Sequence, residues 1–213
     1  MECRYTTLGK YFLLPAWKVL KPILKKLLKL EVIGYENIPS SPCIVASNHR
    51  SHLDPPVLNL VFPEPLYFLA KEELFKPPII GFLLRHMRAI PLKRNASDLE
   101  TLEKVISILE GGCKLCIFPE GTRANPGEFL RPKPGVGFLA IKSGFPVLPV
   151  YIHGTDEILP RGAKLPKFGT SVKVVIGKPK VYKELESNLR SYKEVALDIM
   201  EEIKRLYYSL RKK

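Results

Sequence analysis

A chain of 213 residues is long enough for one α/β domain with a full core and too short for two domains of typical size. Hydrophobic residues make up 46% and charged residues 26%, ordinary globular proportions that exclude a disordered chain and a membrane-embedded bundle. The formal net charge of +13 at pH 7 calls for an anionic partner: nucleic acid, anionic lipid headgroups or a phosphorylated substrate.

The first patterned stretch runs from Tyr11 to Leu30. Lysines interrupt it too often for a transmembrane span, which needs about 20 mostly apolar residues. No small-residue cleavage site follows an apolar run, as a signal peptide would require. At helical period Lys18, Lys21, Lys25 and Lys29 fall in one arc, with Leu20, Ile23, Leu24, Leu27 and Leu28 broadly opposite. Pro15 and Pro22 predict a break or kink, and so two helical pieces. Such a segment suits a membrane interface, with Phe12 and Trp17 at headgroup depth and the lysines toward anionic lipid. A surface helix docked on its own domain is the alternative. The expectation is a membrane-associating segment over residues 1–30 and a folded domain over 31–213.

Glu31 to Tyr35 reads as an entry strand, followed by a turn at Asn37-Ile38-Pro39-Ser40-Ser41-Pro42. Cys43-Ile44-Val45-Ala46 then reads as a short buried strand that delivers His49 to its C-terminal end, where α/β sheets place their chemistry. Asp54, ahead of Pro55-Pro56 and the apolar run Val57 to Val61, is predicted as the N-cap of a helix with proline at its first position. On a loop between the two, the carboxylate can fold back onto the imidazole. It then fixes the tautomer, leaves the other ring nitrogen free to take a proton, and stabilises the imidazolium that forms. That is half of a triad, and the missing nucleophile would be a hydroxyl on the substrate. Singly, each residue has a plainer reading, His49 as a loop donor and Asp54 as a cap. Ser51 is a weaker rival as nucleophile.

Leu66 to Ala70 is a predicted strand, Pro77-Pro78 opens a helix over Ile79 to Leu84, and Ala89 to Leu92 is a strand leading to Lys93 and Arg94. Ser97-Asp98-Leu99-Glu100 has the form of a capping box, before a helix with Leu102, Val105, Ile106 and Leu109 on one face and Gly111-Gly112 at its end. Cys113 and Cys116 form a C-x-x-C, but residues three apart on a strand point to opposite faces and no second ligand pair exists, so Cys116 is read as core and no metal site is expected. Directly after the strand Lys114 to Phe118 comes Pro119-Glu120-Gly121-Thr122-Arg123. Glycine allows close backbone approach, Thr122 offers a hydroxyl, and Arg123 offers a planar fork that grips phosphate. Glu120 could equally be a structural partner of Arg123. Val147 to Tyr151 and Val172 to Ile176 are further strands, and the last helix carries Val195, Ile199, Ile203, Leu206 and Leu210 as a core stripe. The predicted fold class is α/β: a single three-layer domain with a largely parallel central sheet flanked by helices, preceded by an N-terminal amphipathic two-helix segment.

The chain resembles the glycerolipid acyltransferases, most closely those that act on lysophosphatidate. Four ordered blocks over roughly residues 30–180 carry the resemblance: Asn48-His49-Arg50-Ser51-His52-Leu53-Asp54, Ala89 to Arg94, Phe118 to Arg123, and Phe145 to Val150. The resemblance implies His49 as general base, Asp54 as its orienting partner, and Arg94, Glu120, Gly121, Thr122 and Arg123 as binders of the glycerol phosphate. Lys93 departs from the acidic residue many members carry before that arginine. The implied donor is a thioester, acyl-coenzyme A or acyl carrier protein, with no cofactor. The expected setting is the cytoplasmic side of the cell membrane, peripheral or monotopic. Other readings are a different glycerophosphate or lysophospholipid acceptor, a thioester or lipid hydrolase, and a non-catalytic binder of anionic membranes. Nucleic acid is not an expected partner, for want of a recognition motif or stacking platform.

Overall fold

The computed structural model describes residues 14–92, 99–163, 165–167 and 169–211. Helix α1 (Leu14–Leu27) leads into β1 (Glu31–Ile33). There follow β2 (Ile44–Ser47), α2 (Asp54–Val61), β3 (Tyr67–Lys71), α3 (Pro78–His86), β4 (Ala89–Leu92) and α4 (Leu99–Glu110). The second half contains β5 (Leu115–Ile117), α5 (Gly135–Ser143), β6 (Val147–His153), the single turn α6 (Thr155–Ile158), β7 (Lys173–Ile176) and α7 (Leu189–Arg211).

The seven strands form one sheet in the order β1-β7-β6-β2-β5-β3-β4. Every pairing is parallel except β6 with β7. The predicted α/β domain with a largely parallel sheet is therefore what the chain forms. Its core lies in two layers. On β2, Ile44 and Ala46 face the layer built from α4, α5 and α7, while Val45, with Cys43 just before the strand, faces the layer that takes in α2 and Leu28. Gly137 lets α5 lie against α7, because a Cβ there would meet the Tyr192 carbonyl oxygen at 2.0 Å.

Several expectations shift. Helix α1 runs unbroken through Pro22, so the described residues hold one N-terminal helix where two pieces were expected. Pro15 sits in the first turn, where amide hydrogens have no intrahelical partner, and Pro22 is exposed, so water can serve the carbonyl it leaves unpaired. Phe12 lies outside the described residues, as do Lys93, Arg94 and the Ser97-Asp98 half of the capping box. Strand β1 stops at Ile33, because Gly34 adopts φ +78° and a 3-10 turn over Tyr35–Asn37 follows.

Cys113 and Cys116 face opposite core layers, as the strand period requires. The stripe on α7 is buried at Val195, Ile199 and Ile203, with Leu206 and Leu210 packed beside it. On α1, Trp17 and Leu24 pack against the domain, Leu28 just beyond the helix is buried, and Lys21 donates from Nζ to the Phe62 carbonyl at 3.1 Å. Trp17 and Lys21 thus turn toward the domain, where the sequence pattern had them at a membrane surface. Burying Leu28 contributes about 2 kcal/mol to that docking. Val19, Leu20, Ile23 and Leu27 stay exposed. No helix among the described residues is long and apolar enough to cross a membrane.

Candidate active site

Strands β5, β2 and β6 are parallel neighbours, so their C-terminal ends open on one edge of the sheet. The loop after β2 carries His49, the loop after β5 carries Phe118 to Arg123, and the turn after β6 carries Thr155. Asn48 locks the first to the third: its side chain donates to the Ile152 carbonyl at 3.0 Å and accepts from the Ile152 amide at 2.7 Å.

His49 Nδ1 lies 2.8 Å from Asp54 Oδ2. Asp54 is fully buried. It is the first residue of α2 and not, as expected, the cap before it. Its carboxylate turns back on the loop: Oδ2 also accepts from the backbone N–H groups of Arg50 at 2.8 Å and Ser51 at 2.9 Å, and Oδ1 accepts from the Thr155 hydroxyl at 2.5 Å. A carboxylate surrounded by donors requires a proton on His49 Nδ1. Nε2 therefore carries the lone pair, and it has no partner among the described residues. The ring is held flat against Phe118, with centroids 4.1 Å apart and planes inclined by 18°.

Glu120 is 3% exposed and ties two loops together, accepting from the His49 amide at 3.1 Å and the Leu130 amide at 2.7 Å. Burial raises its pKa, opposed by those two hydrogen bonds and by the charge of Arg50. With both oxygens engaged by backbone, Glu120 braces the two loops, and among the described residues it does not pair with Arg123. Gly121 has φ +67°, and a Cβ there would lie 2.8 Å from Lys133 Cε, so the turn admits no side chain without moving that lysine. Thr122 is exposed and Arg123 half-buried on the same turn. Burial lowers the Arg123 pKa, the charge of Arg161 lowers it further, and Asp54 acts the other way. His52 is held low by burial, then by Arg123 and His49. Arg94, expected to converge on this edge, lies outside the described residues.

Ser51 is excluded as a nucleophile by its bonds: its hydroxyl donates to the Leu159 carbonyl at 2.9 Å and accepts from the Leu53 amide at 3.2 Å. Arg50 points away from the chemistry. It is 4% exposed, donates to the Tyr151 hydroxyl and the Glu128 carbonyl, both at 3.1 Å, and stacks among Phe129, Tyr151 and Tyr207. A cavity of about 490 Å³ opens on that side, lined by Arg50, Tyr151, His153 and Lys173 among others, and it includes neither His49 nor Arg123. Arg50 and Thr155 escaped sequence reasoning. The one signal available for Thr155 was its position just past the end of β6.

The acyltransferase family pattern matches residues 29–153, which takes in β1 through β6 and both loops of the site. The chain belongs to the acyltransferase family. Among similar acyltransferases, the chloroplastic 1-acyl-sn-glycerol-3-phosphate acyltransferase of Brassica napus is 36% identical over 155 residues, covering 71% of this chain and 45% of that one. The enzyme of the same name from Pseudomonas aeruginosa is 34% identical over 153 residues, covering 70% and 58%. The chain thus spans about half the length of these two curated relatives. The crystal structure of the 1-acyl-sn-glycerophosphate acyltransferase PlsC from Thermotoga maritima superposes with a TM-score of 0.71 at 31% identity, covering 95% of this chain and 84% of that one. The matched segment includes His49, Asp54, Glu120 and Arg123 and ends two residues before Thr155.

Proposed function

We propose that the protein is a 1-acyl-sn-glycerol-3-phosphate acyltransferase that moves a fatty acyl group from a thioester to the free hydroxyl of lysophosphatidate, giving phosphatidate at a membrane surface. The observation that carries this reading is a histidine with Nδ1 fixed by a buried carboxylate, Nε2 unpartnered, and Arg123 on the adjoining loop. The names of the relatives, each acting on an acylated glycerophosphate, support the acceptor.

Arg123 holds the acceptor's phosphate, so that its hydroxyl meets His49 Nε2. Positioning of this kind removes much of the entropic barrier of a two-substrate reaction. Nε2 takes the hydroxyl proton as the oxygen attacks the thioester carbonyl, and Asp54 stabilises the imidazolium, a contribution of roughly 10²- to 10⁴-fold. As the tetrahedral intermediate collapses, the C–S bond breaks and the imidazolium returns its proton to the leaving thiolate. The acyl group passes directly to the acceptor, with no acyl-enzyme and no cofactor. Acyl-coenzyme A and acyl carrier protein both supply such a thioester.

The exposed Val19, Leu20, Ile23 and Leu27, with Lys18, Lys26 and Lys29 exposed on or just beyond the same helix, support peripheral docking of α1 on anionic lipid at the cytoplasmic face of the cell membrane. The test of the activity is a transfer assay with purified protein, labelled acyl-coenzyme A or acyl carrier protein, and lysophosphatidate. The expected product is phosphatidate with the native protein, and none above background with His49→Ala. Free fatty acid formed equally with and without acceptor would make the protein a hydrolase and overturn the reading.

A further inference from the structure

The stretch between β6 and β7 is fastened to the β2–α2 loop at both ends of α6. Thr155 donates to Asp54 Oδ1 at 2.5 Å, and four residues on the Leu159 carbonyl accepts from the Ser51 hydroxyl at 2.9 Å. Just beyond, the Ala163 amide donates to the Pro160 carbonyl at 3.0 Å and the Lys167 amide to the Ile158 carbonyl at 2.7 Å, which closes a turn with Arg161 at its tip. Two residues span at most about 7 Å, so the backbone of Arg161 is held within that distance of an atom bonded to the catalytic loop. Arg161 is exposed; burial is the main cause of the lowered Arg123 pKa, and the charge of Arg161 adds to it.

Neither guanidinium has a carboxylate or hydrogen-bond partner among the described residues. The acid whose charge favours Arg123 is Asp54, and both oxygens of Asp54 are taken by other donors. Two like charges on turns fastened to the same loop, neither paired with an acid among the described residues, repel one another, and an anion with several oxygens relieves that repulsion. A phosphate monoester offers oxygens enough for two planar forks.

On the acyltransferase reading above, we propose that Arg161 is a second clamp on the acceptor's phosphate, opposing Arg123 and delivered to the site by the turn after β6. Arg161 then belongs to acceptor binding. The thioester is held without it.

The experiment is steady-state kinetics of the full chain in neutral detergent micelles, varying lysophosphatidate and thioester separately for the native protein, Arg161→Gln and Arg161→Lys. Arg161 is exposed, so both variants should keep the native unfolding temperature. Arg161→Gln is expected to raise the KM for lysophosphatidate about tenfold or more, with kcat and the thioester KM changing far less. Arg161→Lys should recover part of the loss, since an ammonium keeps the charge but not the fork. An acceptor KM within twofold of native in Arg161→Gln, or a rise confined to the thioester KM, would overturn the clamp while leaving the enzyme an acyltransferase. A native protein that forms no phosphatidate would overturn both.

Discussion

The β2–α2 loop and the outer face of α1 treat their bonding groups in opposite ways. In the loop nearly every polar group is matched inside the protein: Asp54 accepts from four donors, Glu120 from two, and Asn48 makes a reciprocal pair with Ile152. The loop's own unmatched donor is the buried Nε of Arg50, and among the described residues His49 Nε2 and the guanidinium groups of Arg123 and Arg161 on the neighbouring turns have no hydrogen-bond partner. Among the described residues, the side-chain bond from Lys21 to Phe62 ties α1 down, and Val19, Leu20, Ile23 and Leu27 face outward. The first region fixes the direction of one ring nitrogen through many matched bonds. The second presents area and charge, which a fluid surface can meet in any register.

Removing the charge at the centre of the loop should have the largest effect. In Asp54→Asn the amide oxygen can take the place of Oδ2, with the NH₂ turned to the Thr155 hydroxyl, so the hydrogen-bonded frame survives while its charge is lost. On the proposed mechanism the imidazolium then has no counter-ion, and kcat is expected to fall roughly 10²- to 10⁴-fold. The check is kcat set beside the unfolding temperature. A fall in activity that merely tracks a fall in stability would show that the carboxylate holds the loop without serving the histidine.

The second test addresses the other region. Ile23 and Leu27 are 57% and 44% exposed, so replacing both with glutamate disturbs little inside the protein. If α1 docks on anionic lipid, the double variant gives up apolar contact and adds two repelled charges. That is a loss of about 2 kcal/mol or more, or roughly thirtyfold in partitioning. Sedimentation with vesicles containing anionic lipid measures it, and unchanged binding would mean the outward residues of α1 are not the docking surface.

The unequal legibility of the two regions has a physical cause. His49 and Asp54 were readable because the contact between them is local: a buried run sets the strand, Pro55-Pro56 sets the helix, and the loop is too short to take the two groups far apart. Parallel pairing of strands joined by helices was readable for the same reason. What escaped depends on contacts far apart in the chain. Thr155 meets Asp54 across 101 residues, and Arg50 meets Tyr151 across the same separation, because β6 lies beside β2. Strand order leaves no periodic mark. The bracing by Glu120 leaves no local mark either, because its two amide donors, His49 and Leu130, come from separate loops. On α1, proline reads as a breaker, whereas Pro15 lies in the first turn and Pro22, inside the helix, is exposed, so the helix tolerates both.

The smallest expected effect also separates positioning from binding most sharply. Thr155→Val keeps the shape of the side chain but removes, among the described residues, the donor to Asp54 Oδ1, with both residues buried. Leaving a buried carboxylate oxygen unsatisfied costs about 1–3 kcal/mol of stability. The carboxylate keeps its three bonds at Oδ2, so the imidazole loses rigidity rather than its partner, and kcat should fall by a few-fold to about tenfold, roughly 1 kcal/mol of barrier. The KM for lysophosphatidate should stay near native, because Thr155 acts through Asp54 and His49, whereas Arg161→Gln should show the reverse split. Thr155→Ser, which restores the hydroxyl, should recover most of the loss. If the serine variant is as slow as the valine variant, the turn after β6 matters for packing alone, and the connection between Thr155 and the histidine carries no catalytic weight.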